Sequence, residues 1–148
     1  MPQFETRITL PKSREHVFDF LVRTSNLLEL IPPDSGMKVI SVPEIIQTGS
    51  RLELQATAFG QSWNIVHEVT KLVTPESFTE VQLKGVFKSW VHEHLLQEES
   101  AGQVVAIDRI EFEPPGGMLG FLVTKKVIFS QLENMFAHRH RQMRKILG

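Results

Sequence analysis

The sequence predicts an α+β domain: a curved antiparallel seven-stranded sheet wrapped on a long C-terminal helix, with two short helices after strand 1. Three observations carry this. Short segments of alternating apolar and polar residues, separated by turn signals, fill the middle of the chain. Pro114-Pro115-Gly116-Gly117 stops that pattern abruptly. Beyond it, one amphipathic stretch runs almost to the last residue.

Each element can be justified in order. Phe4, Ile8 and Leu10 alternate with Glu5, Arg7 and Thr9, the pattern of a half-buried strand. Pro11 ends it, and Ser13 is a good N-cap for a helix with Val17, Phe18, Phe20 and Leu21 on its apolar side. A second short helix, Asn26 to Leu30, stops before Pro32-Pro33. Met37 to Val42 reads as the next strand, followed by Leu52 to Ala58. Phe59-Gly60-Gln61-Ser62 looks like a tight hairpin turn, after which Trp63, Ile65, His67 and Val69 share one strand face. Phe78 to Leu83, Phe87 to Gln97 and Gln103 to Glu113 complete the sheet, with Ser100-Ala101-Gly102 joining the last two. The long helix is expected from about Leu119 to Ile146. Its apolar stripe is Leu122, Phe129, Leu132, Phe136, Met143 and Ile146, and the only partner large enough to cover that stripe is the sheet.

Composition narrows the function classes. The chain has 148 residues, the size of one domain, 1–148, and its 41% hydrophobic and 22% charged residues are an ordinary globular balance. A formal net charge of −1 gives no global pull toward nucleic acid or anionic lipid. The absence of cysteine excludes a disulfide framework, a thiolate zinc site and a cysteine nucleophile. No apolar run approaches the roughly 20 residues that cross a bilayer, and Met1-Pro2-Gln3-Phe4-Glu5 is no signal segment, so a cytoplasmic location is the expectation. From Phe121 to Gly148, six basic residues face Glu133 alone, which reads as a solvated face and a cationic last turn suited to the helix dipole.

The motif order carries a resemblance. Pro11 through Val17-Phe18-Asp19-Phe20-Leu21, Asn26-Leu27, Leu30-Ile31-Pro32, Gly60 with Trp63, and Gly85-Val86-Phe87 with Trp90, His92 and His94 are its first pieces. Asp108-Arg109-Ile110-Glu111-Phe112, Pro115-Gly116-Gly117, and Phe136 with Arg139 complete it. Together they resemble the START and birch-pollen-allergen superfamily. Within it, the chain is similar to the bacterial SRPBCC group described as polyketide cyclase/dehydrase-like or ligand-binding. The resemblance implies a helix-grip fold with a ligand cavity between sheet and C-terminal helix, without implying one reaction.

The polar candidates concentrate on two strands. Trp90, His92, His94 and Leu96 share a face, as do Val104, Ala106, Asp108, Ile110 and Phe112. The opposite faces hold Glu93, Arg109 and Glu111, so the His/Asp set is expected on the concave side, provided the pairing register is even. A carboxylate beside an imidazole in an apolar pocket suits general acid–base work on a carbonyl or enol. It equally suits fixing a polar group of a ligand, or simple mutual satisfaction of buried polar groups. His92-x-His94 also has metal-ligand spacing, with His67 or Asp108 as a third donor. The pair alone is common and the superfamily is not generally metal-dependent, so no metal or other cofactor is expected. Arg139 lies near the helix stripe. Its stem is expected to pack while its head stays in water, with a reach into the cavity mouth as the alternative.

The expected function is binding of a small hydrophobic or amphipathic molecule. The ligand-binding set comprises Trp63, Ile65, His67, Trp90, His92, His94, Asp108, Ile110, Phe112, Phe129, Leu132 and Phe136, and the catalytic candidates are His92, His94 and Asp108. The alternatives are a cyclase or dehydratase acting on a polyketide-like or aromatic substrate, and a protein-interaction module with a small or filled pocket. Nucleic acid is not an expected partner, because basic and aromatic residues are not interleaved on one strand.

Overall fold

Ser13 accepts the backbone N–H of His16 at 3.1 Å and so starts the first helix where the sequence placed it. The computed structural model describes residues 1–148. Strand β1 (Gln3–Leu10) is followed by helices α1 (Arg14–Val22) and α2 (Thr24–Glu29). Six strands come next: β2 (Lys38–Ser41), β3 (Arg51–Ala58), β4 (Gln61–Val73), β5 (Ser77–Lys84), β6 (Ser89–Ser100) and β7 (Gln103–Glu113). A short helix α3 (Leu119–Leu122) leads into α4 (Lys125–Leu147). The seven strands form one antiparallel sheet in the order β1-β7-β6-β5-β4-β3-β2, so β1 and β2 are its edges and the sheet is not closed. This is the α+β architecture the alternation predicts.

The β3–β4 hairpin has a two-residue turn, Phe59-Gly60, with φ of 53° and 74°. Two successive positive φ values match the right-handed twist of the flanking strands, and glycine at the second position relieves half of the steric demand.

The long helix differs from the expectation in two ways. It breaks at Val123, where φ is −103° and ψ is 78°, and restarts with Thr124 accepting the N–H of Val127. Leu122 therefore belongs to a separate short turn and is exposed, as are Met118 and Phe121 beside it. The buried line on α4 is Ile128, Leu132, Phe136, His140, Met143 and Leu147. A spacing of four advances the face by roughly 40° per step, so this line winds slowly round the helix. Phe129, half-buried, lies ahead of it, and Ile146, exposed, lies behind it.

Apolar packing divides into two clusters. The larger joins α1 and the last turns of α4 to the sheet through residues such as Leu10, Val17, Phe78, Val104 and Met143. The smaller holds Phe4, Trp90, Ile110, Phe112, Val123, Ile128, Leu132 and Phe136. A stack of rings bridges them. Phe78 lies flat on His94 at 4.0 Å, His94 on His92 at 3.8 Å, and the His92 ring meets Phe136 edge-on at 6.0 Å.

Candidate functional site

The ring stack exists because of strand register. His94 pairs with Asp108 across β6 and β7, and with Phe78 across β5 and β6, while Glu80 pairs with His92. On β6 every second residue from Trp90 to Leu96 is buried, and Val104, Ala106, Asp108, Ile110 and Phe112 are buried on β7. The even register needed to bring His92, His94 and Asp108 to the concave face is therefore present. All three are nearly inaccessible, at 6%, 4% and 3% exposure, so every polar atom among them needs a partner within the protein.

Asp108 lies beneath the two imidazoles. His92 Nε2 is 2.8 Å from Asp108 Oδ1, and His94 Nδ1 is 3.3 Å from the same oxygen. Arg139 comes down from α4, with Nη2 3.7 Å from Asp108 Oδ1 and 3.5 Å from His94 Nδ1. Its side chain is 12% exposed, which corrects the expectation that its head stays in water. The cause is the buried carboxylate, which draws the guanidinium inward while the Arg139 group also lies over the Phe136 ring. Burial works to raise the Asp108 carboxyl. The adjacent Arg139 charge and the His92 hydrogen bond outweigh it and hold the group below the usual carboxylate range.

Glu80 completes the cluster, and sequence reasoning missed it. Its carboxylate faces three histidines: Oε1 is 3.1 Å from His67 Nδ1 and 3.8 Å from His92 Nδ1, and Oε2 is 3.5 Å from His94 Nε2. Burial would raise its pKa, but the His67 and His94 contacts reverse this and hold it well below the ordinary carboxylate value. The one available signal was that Glu80 shares strand parity with Phe78, while Val81 and Leu83 made the opposite face look equally apolar. His94 is pushed down to about 4 by burial and by its His92 neighbour, against the pull of Glu80 and Asp108. It is therefore a neutral imidazole near pH 7, and its Nε2 has no hydrogen-bond partner.

A cleft of about 250 Å³ opens above this cluster. Leu27 and Leu28 of α2 and Ile31 and Met37 of the following loop form one wall. Leu52, Leu54 and Ile65 form the sheet side, and Met135 and Arg139 the α4 side. His67, Glu80, His92 and His94 give it a polar floor, with Phe87 and Trp90 at one end. Of the residues singled out from sequence, Ile65, His67, Trp90, His92 and His94 line the cleft. Asp108 sits behind the imidazoles. Ile110, Phe112, Leu132 and Phe136 are packed inside the smaller apolar cluster, and Phe129 packs against it. Trp63 lies at the β3–β4 hairpin, its indole N–H donating to the Ala58 carbonyl at 3.0 Å. Arg139, Gln82, Val86 and the α2 residues were not among the expected lining.

Fold and site together define a helix-grip domain: one open antiparallel sheet, a long C-terminal helix, and a cleft between them. Ginseng major latex-like protein 151 from Panax ginseng superposes with a TM-score of 0.69 at 12% identity, covering 99% of this chain and 97% of that one. Protein CV1439 from Chromobacterium violaceum gives 0.70 at 16% identity, covering 98% and 96%. Ara h 8.0201 gives 0.62 at 14% identity, covering 95% and 96%. At such identities the likeness shows the fold. No curated protein matches the chain in sequence. The chain belongs to the family described as "Domain of unknown function (DUF8410)", which matches residues 66–147. That span runs from β4 to the end of α4 and contains His67, Glu80, His92, His94, Asp108 and Arg139.

Proposed function

We propose that this domain binds a small hydrophobic or amphipathic molecule in the cleft between α2, the concave sheet face and α4. The observation that carries the reading is the combination of apolar walls with a polar floor: twelve of the nineteen lining residues are hydrophobic, and the charged and imidazole groups converge at the bottom. Ligand sites are mostly apolar with a few placed polar groups that set orientation. At about 250 Å³ the cleft falls just below the roughly 300–1,000 Å³ typical of ligand pockets, which favours a compact molecule over a long lipid chain. Trp90 Nε1 and Arg139 Nε are buried donors without partners on two residues that line the cleft, so a ligand oxygen could satisfy one of them. The helix-grip fold supports the same reading.

The test is extraction of the protein purified from its own host, followed by mass spectrometry, together with titration by 1-anilinonaphthalene-8-sulfonate. A stoichiometric small molecule, or saturable dye binding that quenches tryptophan emission, supports the reading. An empty extract combined with no dye binding at protein concentrations of order 10 μM, where a Kd of 10 μM would correspond to about 7 kcal/mol, overturns it.

A further inference from the structure

We infer that Glu80, His92 and His94 form a binding site for a divalent first-row transition-metal ion. The inference does not rest on the small-molecule reading, and either can hold without the other. One donor atom from each of the three residues lies within 4.8 Å of the others. Two imidazole nitrogens and one carboxylate oxygen are a donor set used by zinc and by non-haem ferrous iron.

The distances suit a shared ion better than direct contact. Bond lengths of about 2.0–2.2 Å in tetrahedral geometry put ligand atoms roughly 3.3–3.5 Å apart. Glu80 Oε2 and His94 Nε2 are 3.5 Å apart, and Glu80 Oε1 and His92 Nδ1 are 3.8 Å apart. The second separation is too long for a hydrogen bond. His94 Nε2 is also a buried polar atom with no hydrogen-bond partner, and it faces the Glu80 carboxylate.

The surroundings set the His92 tautomer a metal needs and allow the His94 one. His92 Nε2 donates to Asp108 Oδ1 at 2.8 Å, which leaves the Nδ1 lone pair toward Glu80. His94 Nδ1 lies between Asp108 Oδ1 at 3.3 Å and the Arg139 Nη2 donor at 3.5 Å, and the shorter contact is met by the tautomer that donates to Asp108 and frees the Nε2 lone pair. A carboxylate behind a ligating histidine is the usual supporting partner in metal sites. His67 Nδ1, 3.1 Å from Glu80 Oε1, orients the carboxylate from the other side. Charge points the same way. The Arg139 guanidinium pairs with Asp108, while the Glu80 carboxylate faces only imidazoles and has no cation of its own. All three residues line the cleft.

The test uses chelator-treated full-length protein and Co2+ as a spectroscopic stand-in, with Zn2+ as competitor. Expected are saturation at one equivalent, the intense visible bands of four- or five-coordinate Co2+, their loss on adding Zn2+, and X-ray absorption showing two imidazole ligands. Glu80→Gln removes these bands, whereas His16→Gln on the exposed face of α1 leaves them. Asp108→Asn, acting through the imidazoles, weakens binding by about 10–100-fold. The wild-type spectrum decides if a variant fails to fold. Bands of octahedral Co2+ only, no saturation, or no imidazole in the absorption spectrum overturns the site. So does a folded Glu80→Gln protein with unchanged bands.

Discussion

His92 and Asp108 are joined by a 2.8 Å hydrogen bond although they are not register partners. Asp108 lies directly across from His94, and His92 lies across from Ile110. The His92 ring leans along β6 to reach the carboxylate and lies flat against His94 as it does so. One carboxylate thus organises two rings, and those rings connect the apolar clusters on either side.

Removing that carboxylate should therefore do more than delete one hydrogen bond. Asp108→Ala leaves Arg139 without its carboxylate and His92 without its acceptor in a buried setting. Breaking a buried pair from one side is worth roughly 3–5 kcal/mol. Asp108→Asn keeps shape and an acceptor oxygen and should lose about 1–3 kcal/mol. Urea unfolding of the three proteins orders them as wild type, Asn, Ala. Equal stability of Ala and wild type would mean the cluster does not hold the clusters together.

The α4 phase makes a prediction opposite to the one the sequence stripe makes. Ile128→Ala removes a side chain 2% exposed and should destabilise by about 2–5 kcal/mol. Leu122→Ala removes one 76% exposed and should stay within roughly 0.5 kcal/mol of wild type. Thr124→Ala removes the helix cap and should cost about 0.5–2 kcal/mol. Thermal or denaturant unfolding of the three variants checks the order.

The fold was legible because strands announce themselves by alternation and turn residues, and the long helix by a single apolar side. The β6–β7 register was legible because the opposite faces carry Glu93, Arg109 and Glu111. The site was half legible. His92, His94 and Asp108 stand in strongly alternating strands, so their facing could be read. Glu80 stands in a strand with apolar residues on both faces, where parity carries no information. Arg139 turns inward only because Asp108 is there, a long-range relation that no local pattern encodes. The helix break at Val123 escapes a reading that carries the apolar stripe back through Leu122, past Thr124, although threonine is a residue type suited to an N-cap. The assignment of Ile110, Phe112, Leu132 and Phe136 to the binding set assumed that every inward residue meets the cleft, whereas these residues pack on one another.

Outside the core, one ion pair should leave a pH signature. Glu5 is held below its ordinary value of 4.5, chiefly by the hydrogen bond from Arg109 across β1 and β7, which together with the Arg109 and Arg7 charges outweighs the opposing effect of burial. A lowered folded-state pKa contributes stability above 4.5, and that contribution is lost as pH falls through the folded value. Both side chains are more than a third exposed, so the pair is worth only about 0.2–1 kcal/mol. Glu5→Gln should be less stable than wild type by that amount at pH 7 and indistinguishable from it near the acid end of the transition. A difference that persists unchanged at low pH would trace the effect to packing instead.

The cleft can be closed from within to ask whether it is where apolar molecules go. Ile65 on β4 and Leu54 on β3 are register partners, and both side chains line it. Ile65→Trp adds bulk into open space, so the strain of about 1–3 kcal/mol expected for overpacking a filled core should be largely avoided. The variant should fold with near-wild-type stability and bind 1-anilinonaphthalene-8-sulfonate at least about tenfold more weakly, a loss of roughly 1.4 kcal/mol. Co2+ binding at Glu80, His92 and His94 should persist, because none of those donors is displaced. Dye affinity unchanged in a folded Ile65→Trp protein would place the dye elsewhere and remove the main support for ligand binding in this cleft.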